Sequence, residues 1–317
     1  MSNERERLSE SQVWVVKIGS ALLTSDGVGI DAGGIDGWCE QISLLLDGGK
    51  RIALVTSGAV AEGFRRLGFT ERPDSIHELQ AAAAVGQMGI VQAYEESFRR
   101  HNRRTALVLL THDDLSDRQR YLNARGTLRT LLEFGIVPVI NENDSVATEE
   151  IQLGDNDTLA ARVASLVSAD ALVLLTDQNG LYEDDPRIRP NAPMVNECSA
   201  FDSQLDDMVG SGSGALGRGG MVTKLEASRY AARAGCHTVI ANGREQDVLS
   251  AIATGQNVGT LLTADVAPLD ARKQWIAAQV QIAGGITLDA GAVQAVQERG
   301  VSVLAVGVTD VQGNFGR

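Results

Sequence analysis

Six short apolar runs rich in Val, Ile and Leu, separated by longer segments with helical spacing, limit what this chain can fold into more than any other feature. The runs cover 13–18, 52–56, 105–110, 136–140, 171–176 and 238–241. Short runs without alternation read as strands buried on both faces. The segments 35–46, 79–100, 120–133, 158–167 and 221–234 repeat their apolar residues at three- and four-residue intervals, the period of a helix. Strand alternating with helix predicts an α/β fold, a mostly parallel sheet sandwiched by helices.

Local signals agree. Ser116 or Asp117 can cap the helix that runs to Phe134, Gly135 supplies a C-terminal stop, and Leu122, Leu128, Leu131 and Leu132 form its apolar face. After about Pro268 the texture changes to short Val, Ile and Gly-rich pieces, which predicts a large domain over 1–267 and a small β-rich module over 268–317. That module balances four basic residues (Arg272, Lys273, Arg299, Arg317) against four acidic ones (Asp270, Asp289, Glu298, Asp310), so it has no basic patch.

Charge narrows the partners. Twenty-eight Lys and Arg against 41 Asp and Glu give a net charge of −13, a field that repels nucleic acid and anionic membranes. The N-terminus, MSNERERLSESQ, is charged throughout, and no run approaches the roughly 18 apolar residues of a membrane span. Cys39, Cys198 and Cys236 are odd in number and lack C-x-x-C spacing, which argues against a disulfide framework or a zinc site and fits a reducing cytoplasm.

In an open parallel sheet, ligands bind beyond the carboxyl ends of the strands. Lys17-Ile-Gly19-Ser, Thr56-Ser57-Gly-Ala, Asn141-Glu-Asn143-Asp144 and Thr176-Asp177 stand at those ends, with Gly154-Asp155-Asn156-Asp157 between two of them. A lysine in a buried strand needs an anionic partner, because an unpaired ammonium is expensive to bury. One reading is an ion pair with a carboxylate such as Asp157 that only holds the sheet together. The other is a ligand site, favoured by Gly19, which lets a backbone come close to a ligand. Asp144, Asn156 and Asp157 supply carboxylates and an amide suited to an ammonium group, while Asp155 and Asn143 read as turn residues.

Six of the eleven residues from Gly210 to Gly220 are glycine. The stretch 217–224 then leads into a helix whose first amides are unpaired donors, which reads either as a flexible surface loop or, with two adjacent glycines beside Lys and Arg, as a phosphate cradle to which Lys224 adds a full charge. Gly212 to Gly217 matches G-x-G-x-x-G, yet no strand precedes it and no acidic residue follows at about twenty positions, so it is not a dinucleotide fingerprint. Leu225 after Lys224 rules out a Walker A loop, and no H-R-D or D-F-G triplet supports a protein kinase. His77, His101, His112 and His237 all lie outside these motifs, so no histidine base is in view, and Thr111 to Asp114 reads as a strand-end turn and cap. Ser57, without a histidine partner, is a binding hydroxyl rather than a nucleophile.

Val-Val-Lys17-Ile-Gly-Ser, Val-Thr-Ser57-Gly-Ala, Val-Pro-Val-Ile-Asn-Glu-Asn-Asp144, Gly-Asp-Asn156-Asp157, Leu-Leu-Thr176-Asp177-Gln-Asn-Gly-Leu-Tyr and Gly-Gly-Met-Val-Thr-Lys224 occur in that order. Together they resemble the glutamate 5-kinases of the amino-acid kinase superfamily over nearly the whole chain. The resemblance implies ATP-dependent phosphorylation of the side-chain carboxylate of L-glutamate, with Mg2+, at the first step of proline synthesis. It places Lys17, Asp157 and Lys224 in catalysis and Ser57, Asp144 and Asn156 on glutamate. Lys17, Thr176, Asp177, Arg218, Gly219, Gly220, Met221, Val222, Thr223 and Lys224 fall to the nucleotide, and the magnesium ligands stay unassigned.

The same resemblance implies a homo-oligomer, dimer or tetramer, and transfer of the product to glutamate-5-phosphate reductase. Arg272-Lys-Gln-Trp275-Ile and Gly313-Asn-Phe-Gly resemble a PUA module that the family continues through further strands, so a module truncated at Arg317 is expected. PUA modules elsewhere bind RNA, which the charge balance argues against. Sibling kinases for N-acetylglutamate, aspartate, carbamate or a nucleotide remain open on spacing alone.

Overall fold

The computed structural model describes residues 2–24, 29–69, 73, 75–146, 156–184, 186, 188–210, 220–264, 284–299 and 304–313. The chain divides into two compact units, residues 1–272 and 273–317. The boundary expected at 267/268 lies in 265–283, outside the described residues.

In the first unit, β1 (Val13–Ile18), β2 (Arg51–Val55), β3 (Thr105–Leu110), β4 (Val137–Glu142), β5 (Ala171–Thr176), β6 (Glu197–Ser199), β7 (His237–Asn242) and β8 (Thr260–Thr263) form one sheet. Their order is β3-β4-β2-β1-β5-β7-β8-β6. Six of these strands correspond to the six apolar runs. Every pairing is parallel except β7 with β8. The chain leaves β1 towards β2 on one side and later returns to β5 on the other, so a topological switch point sits at β1, the usual place for a ligand crevice.

The helices of this unit are α1 (Asn3–Glu10), α2 (Ser20–Leu23), α3 (Ala32–Asp47), α4 (Ala59–Leu67), α5 (Ile76–Arg100), α6 (His112–Ser116), α7 (Arg118–Glu133), α8 (Asn156–Val167), α9 (Gln204–Gly210), α10 (Met221–Arg233) and α11 (Val248–Ala253). They cover both faces of the sheet. Val13, Val15, Val55 and Leu174 pack with Leu128, Leu159, Val163, Leu225 and Ala231 on one face. Trp14, Val16, Ile18, Leu54 and Leu175 pack with Ile42, Ile90, Phe98 and Ile252 on the other. The period-two alternation along β1 therefore assigns each of its side chains to a helical layer.

Asp117, rather than Ser116, caps α7, its carboxylate accepting from the Arg120 amide at 2.9 Å. Thr111 and Asp114 form a reciprocal capping box on α6. Leu128 and Leu132 of α7 are buried, but Leu122 is 49% exposed, a departure from the expected apolar face. Helices α4 and α5 meet backbone to backbone: a Cβ on Gly86 would stand 1.8 Å from the Ala59 carbonyl oxygen, and one on Gly63 1.8 Å from that of Ala82. Only glycine permits this contact, which presses the middle of α5 against the chain leaving β2.

The second unit holds an antiparallel pair, β9 (Gly284–Leu288) with β10 (Val308–Gly313), and between them α12 (Ala290–Arg299). All three cysteines are free, and among the described residues no helix is long and apolar enough to cross a membrane.

Candidate active site

Lys17 shares the parity of Val13 and Val15, so its side chain emerges on the face covered by α8 and α10. Each of those helices brings a charge to meet it near its first turn. Lys17 Nζ lies 2.5 Å from Asp157 Oδ1, and Lys224 Nζ lies 3.0 Å from Asp157 Oδ2. Asp157 is fully buried, and the two lysines are only 6% and 8% exposed. Burial alone would raise the Asp157 carboxyl, yet attraction to Lys17 and then Lys224, with their hydrogen bonds, outweighs it and holds the group below the ordinary carboxylate range. Among the described residues, two cations around one anion leave one unit of positive charge in a nearly dry place. Thr223 adds a hydroxyl 3.3 Å from Asp157 Oδ2 and 2.9 Å from the Gly220 carbonyl oxygen.

Asn156, one residue before Asp157, belongs to a neutral network. Its Nδ2 donates to the Thr56 carbonyl oxygen at 2.5 Å and to Asn141 Oδ1 at 2.7 Å, with Ser57 Oγ at 3.3 Å. Asn141 in turn donates to Gln87 Oε1 at 2.6 Å, and the Thr56 hydroxyl meets the buried Tyr94 hydroxyl at 3.2 Å. Gly58, with φ of +85°, takes the left-handed turn that starts α4 immediately after Ser57. Residues from the ends of β1, β2 and β4 and the start of α8 are thus drawn together where the fold predicts a ligand.

Of the other expected residues, Asp144 lies half-buried in the turn after β4. Thr176 ends β5, its hydroxyl 3.1 Å from Asp177 Oδ1, with Asp177 exposed. Gly220 precedes α10 as its N-cap, and Met221, Val222 and Thr223 make the first turn, where main-chain amides are unpaired. Arg218 and Gly219 lie outside the described residues. Among the described residues no three His, Cys, Asp or Glu side chains gather as metal ligands. Gln87 and Tyr94 went unnoticed in the sequence; the available signal was a glutamine on the stripe Leu79, Ala83, Ile90, Tyr94 of α5, at helical spacing among apolar residues.

The amino acid kinase family matches over residues 12–242. The glutamate 5-kinase of Nitrosococcus oceani is 56% identical over 317 residues, covering all of this chain and 84% of that protein. The glutamate 5-kinase of Thioalkalivibrio sulfidiphilus is 57% identical with the same coverages, and that of Pseudomonas aeruginosa 58% identical over 313 residues, 99% of this chain and 84% of the relative. Among solved structures, UMP kinase from Bacillus anthracis superposes with a TM-score of 0.54 at 17% identity, over 81% of this chain and 97% of that one, a likeness of fold. Identity at this level across the whole length, with the family match running through the unit that carries Lys17, Asn156 and Lys224, means that the chain belongs to the amino acid kinase family and within it to the glutamate 5-kinases.

Proposed function

We propose that the protein transfers the γ-phosphoryl group of ATP to the side-chain carboxylate of L-glutamate, giving L-glutamyl 5-phosphate and ADP, the first step of proline biosynthesis. The observation that carries the reading is the buried Lys17–Asp157–Lys224 cluster with its surplus positive charge, in a chain 56–58% identical to glutamate 5-kinases.

A carboxylate acceptor, with an ordinary pKa of about 4.3, is already ionised at neutral pH, so no base has to take a proton from it. One of its oxygens forms the new P–O bond, the bond to the leaving oxygen breaks, and ADP departs with the electron pair. The barrier is repulsion between anions, about 4 kcal/mol for each unit-charge contact at 4 Å and intermediate dielectric. Lys17 and Lys224 offset it, and Asp157 keeps both ammonium groups aimed, so the protein contributes positioning and electrostatics. Ser57, Asp144 and Asn156 hold the amino acid. Thr176, Asp177 and the stretch from Arg218 to Lys224 hold the nucleotide.

Mg2+ belongs to the reading as the partner of the ATP phosphates, an ion that ordinarily keeps waters and substrate oxygens as ligands. Asp157 is committed to two lysines, and the described residues build no separate metal cage, so no step is assigned through it. A cytoplasmic, homo-oligomeric enzyme, dimer or tetramer, that passes its labile acyl phosphate to glutamate-5-phosphate reductase completes the proposal. So does a division into a kinase domain over 1–267 and a PUA-like module over 268–317. The division rests on the change of composition after about Pro268 and the cytoplasm on the cysteine usage, whereas the oligomer, the reductase and the PUA-like character rest on the family resemblance.

The test is ADP release with Mg-ATP and each candidate acid, with the acyl phosphate trapped by hydroxylamine. Glutamate-dependent hydroxamate is expected. Turnover with N-acetylglutamate or aspartate in its place would move the substrate assignment while leaving the phosphoryl site standing.

A further inference from the structure

The chain leaving β5 is fastened from outside its own strand. Thr176 ends β5, and among the described residues the main-chain groups of Asp177, Gln178, Asn179 and Gly180 make no hydrogen bond. Asn179 Oδ1 accepts from Asn242 Nδ2 at 2.9 Å, in an exposed position. The first main-chain contact comes at Leu181, whose N–H donates to the buried Thr260 hydroxyl at 2.8 Å. Leu181 and Val195 flank the Tyr182–Met194 bridge, where a regular antiparallel pair would exchange two main-chain hydrogen bonds. One is direct, from the Val195 N–H to the Leu181 carbonyl at 2.8 Å. The other runs through Thr260, whose hydroxyl accepts from Leu181 and donates to the Val195 carbonyl at 2.5 Å.

Thr260 is the fixed side of this contact. It begins β8, pairs with Ile240 of β7 and is fully buried. The Gly259 carbonyl just before it accepts from Arg5 at 3.1 Å, and the same guanidinium holds the carbonyls of Asn196, Gln256 and Val258. Leu181, in contrast, follows four residues without main-chain hydrogen bonds, so its approach to β8 is set by Thr260. Gly180 lies against the same hydroxyl: a Cβ there would stand 2.7 Å from Thr260 Oγ1 and 3.0 Å from Met194 Sδ.

We propose that Thr260 is a positioning residue for the nucleotide: through Leu181 and Gly180 its hydroxyl holds residues 177–180, Asp177 among them, at the carboxyl end of β5. The inference rests on the proposed reaction, which puts ATP on Thr176 and Asp177, and adds to it a residue of β8 outside that set. The position needs an acceptor and a donor at once, which a hydroxyl supplies and a valine of the same shape does not.

The experiment titrates Mg-ATP into the full chain by calorimetry and measures glutamate-dependent hydroxamate, for the wild type, Thr260→Val, Thr260→Ser, Gly180→Ala and Thr238→Val. Thr260→Val binds Mg-ATP about tenfold more weakly, the scale of one net hydrogen bond, and KM for ATP rises to match. KM for glutamate and kcat stay within about twofold, a split that general loosening of the fold does not produce. Thr260→Ser keeps the hydroxyl and stays within about twofold of the wild type for ATP. Gly180→Ala crowds the loop off that hydroxyl, weakens Mg-ATP in the same sense, and decides the matter should Thr260→Val fail to fold. Thr238→Val, in the adjoining strand, removes a buried hydroxyl that has no partner among the described residues and leaves ATP binding unchanged. Wild-type ATP affinity in Thr260→Val, or in Gly180→Ala where Thr260→Val does not fold, overturns the inference. So do equal losses toward ATP and glutamate, or a Thr260→Ser as weak as Thr260→Val. A wild type that binds Mg-ATP without glutamate-dependent turnover removes the proposed acceptor while the affinities still judge Thr260; one that binds no ATP removes both.

Discussion

Two buried carboxylates in this protein are each held by two cations, and the pairings differ in where the cations face. Glu62 on α4 accepts from Arg65 at 2.9 and 2.7 Å and from Arg66 at 2.6 Å. Its side chain is 1% exposed, but the arginines are 49% and 35% exposed and keep water on their outer sides. Asp157 has the same stoichiometry with both ammonium groups nearly dry. Both carboxyls are held below their ordinary range, Glu62 mainly by the Arg65 hydrogen bond and Asp157, against its own burial, by Lys17 and Lys224. The surplus charge of the Glu62 cluster sits on arginines that solvent reaches. In the Asp157 cluster both lysines are nearly buried and, among the described residues, Asp157 is the one carboxylate ion-paired with them, an arrangement that adds little to folding and that the proposed reaction would use to receive a phosphate.

The contrast breaks most sharply at Lys224. Lys224→Met leaves a neutral Lys17–Asp157 pair, so turnover falls about 10³-fold while Tm stays within about 2 °C, a ratio that initial rates and thermal melts report directly. Asp157→Asn is next: it leaves two buried ammonium groups without a counter-charge and costs about 3 kcal/mol of stability in denaturant titration, in addition to activity. Glu62→Gln frees two arginines that water can reach, so the loss is about 1 kcal/mol, or about 2–4 °C in Tm, with turnover within twofold. Should Glu62→Gln abolish turnover while Lys224→Met mainly unfolds the protein, the two clusters have been assigned the wrong way round.

The same contrast explains what could be read in the sequence. Lys17 stood out because a charge inside an apolar run has to be accounted for, and Asp157 and Lys224 because they open helices that follow strands or glycines. The six longer strands were legible because parallel strands buried on both faces are apolar without interruption. β6 and β8, of three and four residues, are too short to carry a period, and Leu122 looked like core only because helical spacing cannot say where a neighbouring layer stops. Gln87 was hidden for a different reason. Its partner Asn141 is 54 positions away, and the contact that seats it, Gly86 against Ala59, exists only once α4 and α5 have crossed.

The smallest expected effect is one of pH, and it separates the site from the scaffold around it. A group whose folded pKa is depressed stabilises the native state above its unfolded pKa and loses that contribution as pH falls through the folded value. For Asp157 and Glu62, with unfolded values of about 3.9 and 4.3, the loss is confined to acid below about pH 4. His237, in β7, is lowered by its burial and then by nearby Arg7, against the raising pull of Glu4, Asp170 and Glu197. Its unfolded value is about 6.5, so below that pH the unfolded chain takes up a proton that the native protein refuses, and stability declines. In the proposed reaction the acceptor is already ionised and needs no histidine base, so kcat with saturating substrates is expected to change less than about twofold between pH 6 and 8. Tm, in contrast, drops a little from pH 7.5 to 5.5, and the drop disappears in His237→Asn. A bell-shaped kcat profile centred near pH 7 would place a titrating base at the site and remove the reason for a catalyst built on two lysines and an aspartate.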